Sequence, residues 1–339
     1  MSFVTNSWYV AAWAHEIPVD RPMTLRLLNQ PLVLFRDDAG QVRALEDRCP
    51  HRGVPLGMGS IHQGAIQCIY HGLRFNGNGT CIHNPHLQGN PGRLSVRPYP
   101  VAERHGAIWV WTGRPELADT ARIPDYGVFD PGRSDYRVVH GYMHVRANVQ
   151  LVIDNLLDLS HAEYLHANTV GTPGSAGSVS NSVSAGELSV TVHRKVFDLP
   201  PSAVFKPLWT ATERIDQQSD MTWHAASSLF LDLGIMPPGG QLQQGFHFPS
   251  AHLLAPETDR STHYFYAVAR SFSLDDDTLD ERIRATFQCA FGEEDRPVIE
   301  ALQVSLDEAP KHFRMIDFTS GDGAATRVRR ILDRLAHEC

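Results

Sequence analysis

No apolar run in the 339 residues approaches the roughly 20 needed to span a bilayer as a helix. The opening Met1-Ser2-Phe3-Val4-Thr5-Asn6-Ser7-Trp8-Tyr9 also lacks a basic n-region, so a cytoplasmic protein with no membrane partner is expected. Positive charge is short as well. Against 38 Asp+Glu there are 30 Lys+Arg, a formal net charge of −8, which argues against a nucleic-acid or anionic-membrane partner. Cysteine is scarce, and three of the five (Cys81, Cys289 and Cys339) show no paired spacing that would indicate a disulfide framework, which points to a reducing compartment. No G-x-G-x-x-G opens a strand-to-helix turn, so nicotinamide and flavin chemistry must reside on another chain. Internal repeats and low-complexity blocks are missing too. What is there is 42% hydrophobic and 20% charged, enough chain for two domains with large cores.

The densest chemistry lies at Cys49-Pro50-His51 and Cys68-Ile69-Tyr70-His71, a C-x-H-x16-C-x-x-H pattern. Two soft thiolates and two imidazoles from a pair of short loops suit a Rieske [2Fe–2S] cluster, with Cys49 and Cys68 on one iron and His51 and His71 on the other. Replacing two cysteines by histidines raises the reduction potential to between about −150 and +300 mV. A structural zinc site is the competing reading, because Zn²⁺ also accepts Cys₂His₂. Zinc fingers run Cys-Cys then His-His, whereas here the order alternates, which favours the cluster. Gly53 and Gly72, just past each histidine, allow tight turns that bring N–H groups toward the sulfurs. His62, His83 and His86 lie near these loops but do not fit the two pairs, so surface or supporting roles are expected.

The first third of the chain reads as short strands and turns. Leu32–Arg36, Asp38-Ala39-Gly40 and Val42–Leu45 form a hairpin pattern, Gly77-Asn78-Gly79 is a turn, and Ala107–Trp111 is a strong strand. Trp8, Tyr9, Trp109 and Trp111 read as core or interface aromatics. An all-β module ended by Gly113-Arg114-Pro115 and then Ile123-Pro124-Asp125 sets a boundary near residue 118, with domains at 1–118 and 119–339. Beyond it, Val149–Leu159 is apolar at helical intervals, and the small residues of 171–178 predict a loop. Strand-like runs at Leu188–Val192, Ser228–Leu233 and His263–Ala269 precede helical patterns at Asp280–Phe291 and Arg327–His337. The fold class is therefore α+β.

A second constellation occupies Asp154-Asn155-Leu156-Leu157-Asp158-Leu159-Ser160-His161-Ala162-Glu163-Tyr164-Leu165-His166. Two histidines with nearby carboxylates can supply a 2-His-1-carboxylate triad, which leaves open positions on Fe(II). His161 and His166 do not share a face of an ideal helix, because five residues turn through about 500°. A helix through them must distort or end, and Ser160 and Asn168-Thr169 mark plausible ends. The bland alternative is that His166 caps a helix.

D-N-L-x-D-x-x-H-A-x-Y-x-H together with C-x-H-R and C-x-Y-H-G resembles the Rieske non-haem iron oxygenases, in particular the vanillate O-demethylase, dicamba O-demethylase and toluenesulfonate methyl-monooxygenase group. The likeness begins at Asn6-Ser7-Trp8-Tyr9-Val10-Ala11-Ala12 and reappears at Pro256-Glu257-Thr258 and Glu294-Asp295-Arg296. It implies an N-terminal Rieske domain and a helix-grip-like catalytic domain, an antiparallel sheet with helices, carrying mononuclear Fe(II). The implied iron ligands are His161, His166 and Asp295, with Glu294 the rival for the third. The resemblance also implies that Asp158 links His161 to His71 of a neighbouring copy in a homotrimer, and that Asn155 lines the same site. A local role is open to Asp158 as well, that of a carboxylate orienting His161. His252 matches a position that contacts a substrate carboxylate in the dicamba enzyme, while the Asn that assists there is Leu231 here.

The resemblance further implies a terminal oxygenase using O₂, fed electrons by a flavin/iron–sulfur reductase, alone or through a ferredoxin, so that NAD(P)H acts only indirectly. The implied reaction on a small aromatic substrate is O-demethylation of a methoxy-aromatic acid. Aryl-methyl hydroxylation and N-demethylation would use the same residues, and a Rieske electron carrier is the alternative outside enzymes.

Overall fold

The computed structural model describes residues 3–87, 93–172 and 174–337; Met1, Ser2, Cys339 and Pro173 of the small-residue loop lie outside the described residues. The chain forms two compact units. One reaches Asp125 and takes in Ala255–Asp259, and the other holds Tyr126–Leu254 and the residues from Arg260 onward. The division falls after Asp125, at the end of the Ile123-Pro124-Asp125 segment, because residues 119–122 are tied to the first unit. Trp8 Nε1 donates to the Asp119 carbonyl at 2.9 Å, Arg104 donates to the Thr120 carbonyl at 2.9 Å, and the Arg122 guanidinium lies over the Trp111 ring.

The first unit is all β among its described residues, apart from short 3₁₀ turns. Trp8–Trp13, Ala107–Trp111 and Val101–Arg104 make one antiparallel sheet, and Met23–Leu27, Gln30–Arg36, Val42–Glu46 and Pro98–Tyr99 a second. A third comprises Ser60–His62, Ala65–Gln67, Arg74–Phe75 and Cys81–His83. The expected hairpin is present, with Phe35 opposite Arg43, and the predicted core aromatics Trp8, Tyr9, Trp109 and Trp111 are buried. Gly79 completes the expected turn at φ +75°, where a Cβ would come within 1.9 Å of the Val96 carbonyl oxygen, so both backbone angle and space require glycine.

An antiparallel sheet, in the second unit apart from residues 255–258, runs in the order Arg137–Val145, Ser261–Arg270, Ser250–Thr258, Ser228–Met236, Ile215–His224, Ser189–Leu199 and Val179–Ala185, with Phe246–His247 pairing beside Ser228–Met236. Among the described residues five α-helices accompany it: α1 (Val149–Leu157), α2 (Ala162–Leu165), α3 (Asp277–Phe287), α4 (Arg296–Glu308) and α5 (Ser320–His337). Leu151, Val152, Leu156 and Leu157 of α1 join Val192, Met221, Trp223, Ile299 and Val328 in one core. Each such burial is worth ~1.5–3 kcal/mol, against the ~0.7 kcal/mol that separates ordinary residues in helix propensity. Packing therefore holds α1 in place. The small-residue segment is not all loop, since Ser175–Ser178 form a 3₁₀ turn and Ser175 is buried.

The sheet end of α3 is fixed by charge. Arg137 Nε donates to Asp280 Oδ2 at 2.8 Å, and the fully buried Arg270 donates to Asp280 Oδ1. Burial raises the Asp280 carboxyl, but Arg137 and Arg270 more than offset it and hold the group below its ordinary value. Asp280→Ala would strand a buried guanidinium and should cost about 3 kcal/mol, read as a drop in denaturation midpoint. The pH dependence follows from the lowered pKa. The stabilisation is complete above the unfolded value of about 3.9 and is lost as the pH falls through the folded one. Asp280→Asn should flatten this acid limb.

Candidate functional site

In the first unit the two cysteine loops repeat one hydrogen-bonding scheme. Cys49 N donates to the Val54 carbonyl and Gly53 N to the Cys49 carbonyl, both at 2.8 Å; Cys68 N donates to the Leu73 carbonyl at 2.8 Å and Gly72 N to the Cys68 carbonyl at 3.0 Å. Gly53 (φ +74°) and Gly72 (φ +71°) close the two turns, the role read from their positions. Both cysteines are 2% exposed, whereas His51 is exposed and His71 half-buried. The imidazole Nδ1 atoms lie 3.1 Å apart. Burial first, then the adjacent Cys68, pushes the Cys49 thiol up, and the pair is not a disulfide. Two buried thiols side by side, with two nitrogens converging nearby, form a donor set suited to a cationic metal cluster. His86 packs edge-on to His71 with centroids 6.0 Å apart, while His62 and His83 are exposed.

The second constellation is built by a broken helix. α1 stops at Leu157, Asp158 leaves helical geometry (φ −93°, ψ 82°), Leu159–His161 make a 3₁₀ turn, and α2 ends at His166. The break at Asp158 precedes both histidines; between them the chain is helical through Leu165 and leaves helical geometry at His166 (φ −106°, ψ 25°), where the helix ends as the five-residue spacing requires. Gly171 then returns against this turn, its N–H donating to the His166 carbonyl at 3.0 Å, where a Cβ would meet the Ala162 carbonyl oxygen at 2.0 Å.

The carboxylate arrives from a π-helical stretch, Gln288–Asp295, between α3 and α4. Pro297 has no N–H for the carbonyl four residues back and its ring crowds that carbonyl, which favours a wider turn there. His161, His166 and Asp295 each offer a ligand atom, all within 4.8 Å of one another. His161 Nε2 and His166 Nε2 are 3.2 Å apart, and each lies 3.2–3.4 Å from Asp295 Oδ1.

The partners behind these groups fix their protonation. His161 Nδ1 donates to the Asp158 backbone carbonyl, and His166 Nδ1 donates to Glu294 Oε2 at 2.7 Å, where Thr169 Oγ1 also donates at 2.7 Å. With both Nδ1 atoms donating, both Nε2 lone pairs point inward at each other and at a carboxylate. Asn155 Nδ2 donates to Asp295 Oδ1 at 3.0 Å, while Asp295 Oδ2 is buried with no partner among the described residues. Burial would raise the Asp295 carboxyl, yet His161 and His166 hold it well below the ordinary carboxylate range. Converging lone pairs and an orphaned buried oxygen fit a divalent cation. Glu294, the rival third ligand, lies behind His166, where its Oε2 accepts from Nδ1 and so orients the ring.

The triad lies in the wall of a cavity of about 390 Å³ lined mainly by apolar side chains, among them Leu156, Met221, Leu231, Leu233, Phe248 and Phe291.

A Rieske [2Fe-2S] domain model matches residues 7–100, and a model of the vanillate O-demethylase oxygenase C-terminal domain matches residues 145–338. The chain belongs to the vanillate O-demethylase family of Rieske oxygenases. The dicamba O-demethylase oxygenase component of Stenotrophomonas maltophilia is 38% identical over 99% of this chain and 98% of its own. The toluene-4-sulfonate monooxygenase iron–sulfur subunit of Comamonas testosteroni is 36% identical over 98% and 97%. A crystal structure of dicamba monooxygenase with non-heme iron and dicamba superposes with a TM-score of 0.87 at 36% identity, covering 100% of this chain and 98% of that one. As a Rieske oxygenase component, the chain is an enzyme of the monooxygenase class, and the α+β architecture with an N-terminal all-β Rieske domain agrees with that structure. No helix among the described residues is long and apolar enough to cross a membrane.

Two expectations for this Rieske oxygenase need correction. The Asp158 carboxylate does not orient His161; its Oδ1 accepts from Ser160 N and Oγ, because an aspartate before a helical turn caps that turn, and the backbone carbonyl holds the imidazole instead. His252 does not line the cavity. It is fully buried, hydrogen-bonded to Ser250 Oγ at 3.1 Å and Tyr264 OH at 2.5 Å, and flanked by Phe287 and Phe291. Burial pushes its imidazole down to about 3, so it is neutral. Leu231 does line the cavity.

Proposed function

We propose that this chain is the terminal oxygenase of an O-demethylase acting on a methoxy-aromatic acid, with Cys49, Cys68, His51 and His71 holding the cluster and His161, His166 and Asp295 holding the iron. The observation that carries this reading is the facial triad set in the wall of an apolar cavity sized for one aromatic ring system. When bound, the two groups supply single-electron storage and O₂ activation. The residues of the chain do the rest. His166 is kept in one tautomer by Glu294 and His161 by the Asp158 carbonyl, while Asn155 donates to Asp295 Oδ1, so the three side chains that would hold the iron converge at the cavity wall. Leu231, Leu233 and Phe291 exclude water and position a ring by contact. Oxidation of an O-methyl carbon yields a hemiacetal, which collapses to formaldehyde and a phenol.

The division of labour we assign is cluster binding by residues 1–118 with their extension to Asp125, and oxidation by the remainder. A reductase carrying flavin and iron–sulfur groups, directly or through a ferredoxin, is the proposed electron source. Assembly as a homotrimer is supported by apolar groups left open to solvent. Ile69 and Tyr70 beside His71, and Ile316 and Phe318 before α5, are each at least 60% exposed. In such a closed ring Asp158 would connect His161 to His71 of a neighbouring copy.

Turnover with a matched reductase across methoxybenzoates, toluenesulfonates and N-methyl arenes tests the reading. Formaldehyde with the phenolic acid, at one equivalent each, is the expected result. A benzylic alcohol formed from the methyl arenes, with no formaldehyde from the ethers, would instead make the chain a methyl hydroxylase.

A further inference from the structure

The strand Ser189–Leu199 turns Val190, Val192, Arg194 and Val196 toward the interior, as the period of two requires. An arginine thus takes the third place in a register otherwise filled by valine. It is 8% exposed and lines the cavity that holds the triad. Its Nη2 reaches Ser175 Oγ at 3.3 Å, a long contact, and its Nε is buried with no partner among the described residues. Burial lowers its pKa, with the Glu163 and Asp158 carboxylates opposing that; Glu163 is bonded to the Ser175 hydroxyl that Arg194 touches, and no ion pair links Arg194 directly to a carboxylate among the described residues. A guanidinium cannot shed its charge at neutral pH, so an unpaired one inside an apolar wall is costly unless an anion joins it.

Its surroundings are those of an oxyanion site. Arg194 pairs across the sheet with Ser219, and Gln217 Nε2 donates to Ser219 Oγ at 3.1 Å; all three line the cavity. Leu231 offers no donor, and His252 is neutral and shut behind its own partners. We infer that Arg194 is the specificity-determining residue of this oxygenase, pairing with the carboxylate or sulfonate of an anionic aromatic substrate inside the cavity, with Ser219 and Gln217 as supporting donors. This rests on the cavity being the substrate site, and it does not depend on which bond is oxidised.

Calorimetric titration of the metal-replete oxygenase without O₂ tests it, with 3-methoxybenzoate, 3-methoxybenzenesulfonate and the neutral 3-methoxybenzamide as probes. In the wild type both anions should bind at least about tenfold more tightly than the amide, and equal affinities would overturn the inference. Arg194→Met keeps an apolar inward face and should weaken both anions by about 30-fold or more while leaving the amide within about twofold. Arg194→Lys should recover part of the loss. Parallel loss of all three probes, or no loss of the anions, would show that the arginine only supports the Ser175 turn. If the anions bind through Arg194 yet no formaldehyde appears on turnover, the demethylase reading fails and this one stands.

Discussion

His161→Ala and His166→Ala are expected to abolish product formation and to remove the mononuclear iron, leaving about two irons per chain and an unchanged cluster absorbance. The triad and the cluster loops lie in separate compact units, so losing one ligand at the first should not disturb the second. Asp295→Ala should behave in the same way, because its Oδ1 faces both Nε2 atoms and it supplies the carboxylate of the one metal-type cluster found among the described residues. Glu294→Ala is predicted to differ. It removes the acceptor behind His166 and frees Thr169, which should weaken iron binding by about 10- to 100-fold without eliminating it. Iron content and single-turnover yield, measured over a range of added Fe(II), separate the cases. Full loss in Glu294→Ala with partial loss in Asp295→Ala would exchange the two assignments.

Asp158→Asn carries the second large effect. The asparagine oxygen can still accept from Ser160 N and Oγ, and the backbone carbonyl that holds His161 is untouched, so iron, cluster and fold should survive. Only the charge is removed. If that charge links His161 to His71 of a neighbouring copy, reduction of the cluster by the reductase stays fast while product formation falls by about 100-fold. Mixed oligomers sharpen the test. Subunits carrying Cys68→Ala combined with subunits carrying His161→Ala should regain part of the activity that neither has alone. Verified mixed assemblies that stay inactive, where wild type survives the same exchange, would rule out transfer between subunits.

The four candidate cluster residues stand out in the sequence because their spacing is local, each loop contributing one Cys and one His within four residues. His161 and His166, proposed as iron ligands, stand out for the same reason, but the geometry between them does not. A periodicity argument detects that a helix must end between the two histidines, which it does at His166, while the earlier break at Asp158, capping the turn that carries His161, has no such signal. Asp295 lies far along the chain on a π-helical stretch, and no sequence period announces such a turn; the helical pattern extended from Asp280 to Phe291 and missed α4 beyond it. His252 was misplaced because resemblance transfers a position without its neighbours. Here Ser250, Tyr264 and two phenylalanines enclose it. Arg194 carried a signal that went unread, a cation at the inward phase of Val-x-Val-x-Arg-x-Val.

The π-helical stretch also governs how this protein can change length. Glu294 and Asp295 are adjacent in sequence yet serve opposite sides of His166, one behind the ring and one in front of it. That arrangement depends on the extra residue the loose turn accommodates. Deleting a single residue between Gln288 and Glu293 would let the segment relax to an ordinary helix and swing both carboxylates through about 100°, uncoupling ligand and support together. Insertions and deletions that a surface loop would absorb are therefore forbidden in these eight residues, so lineages diversifying the cavity must do so by substitution here.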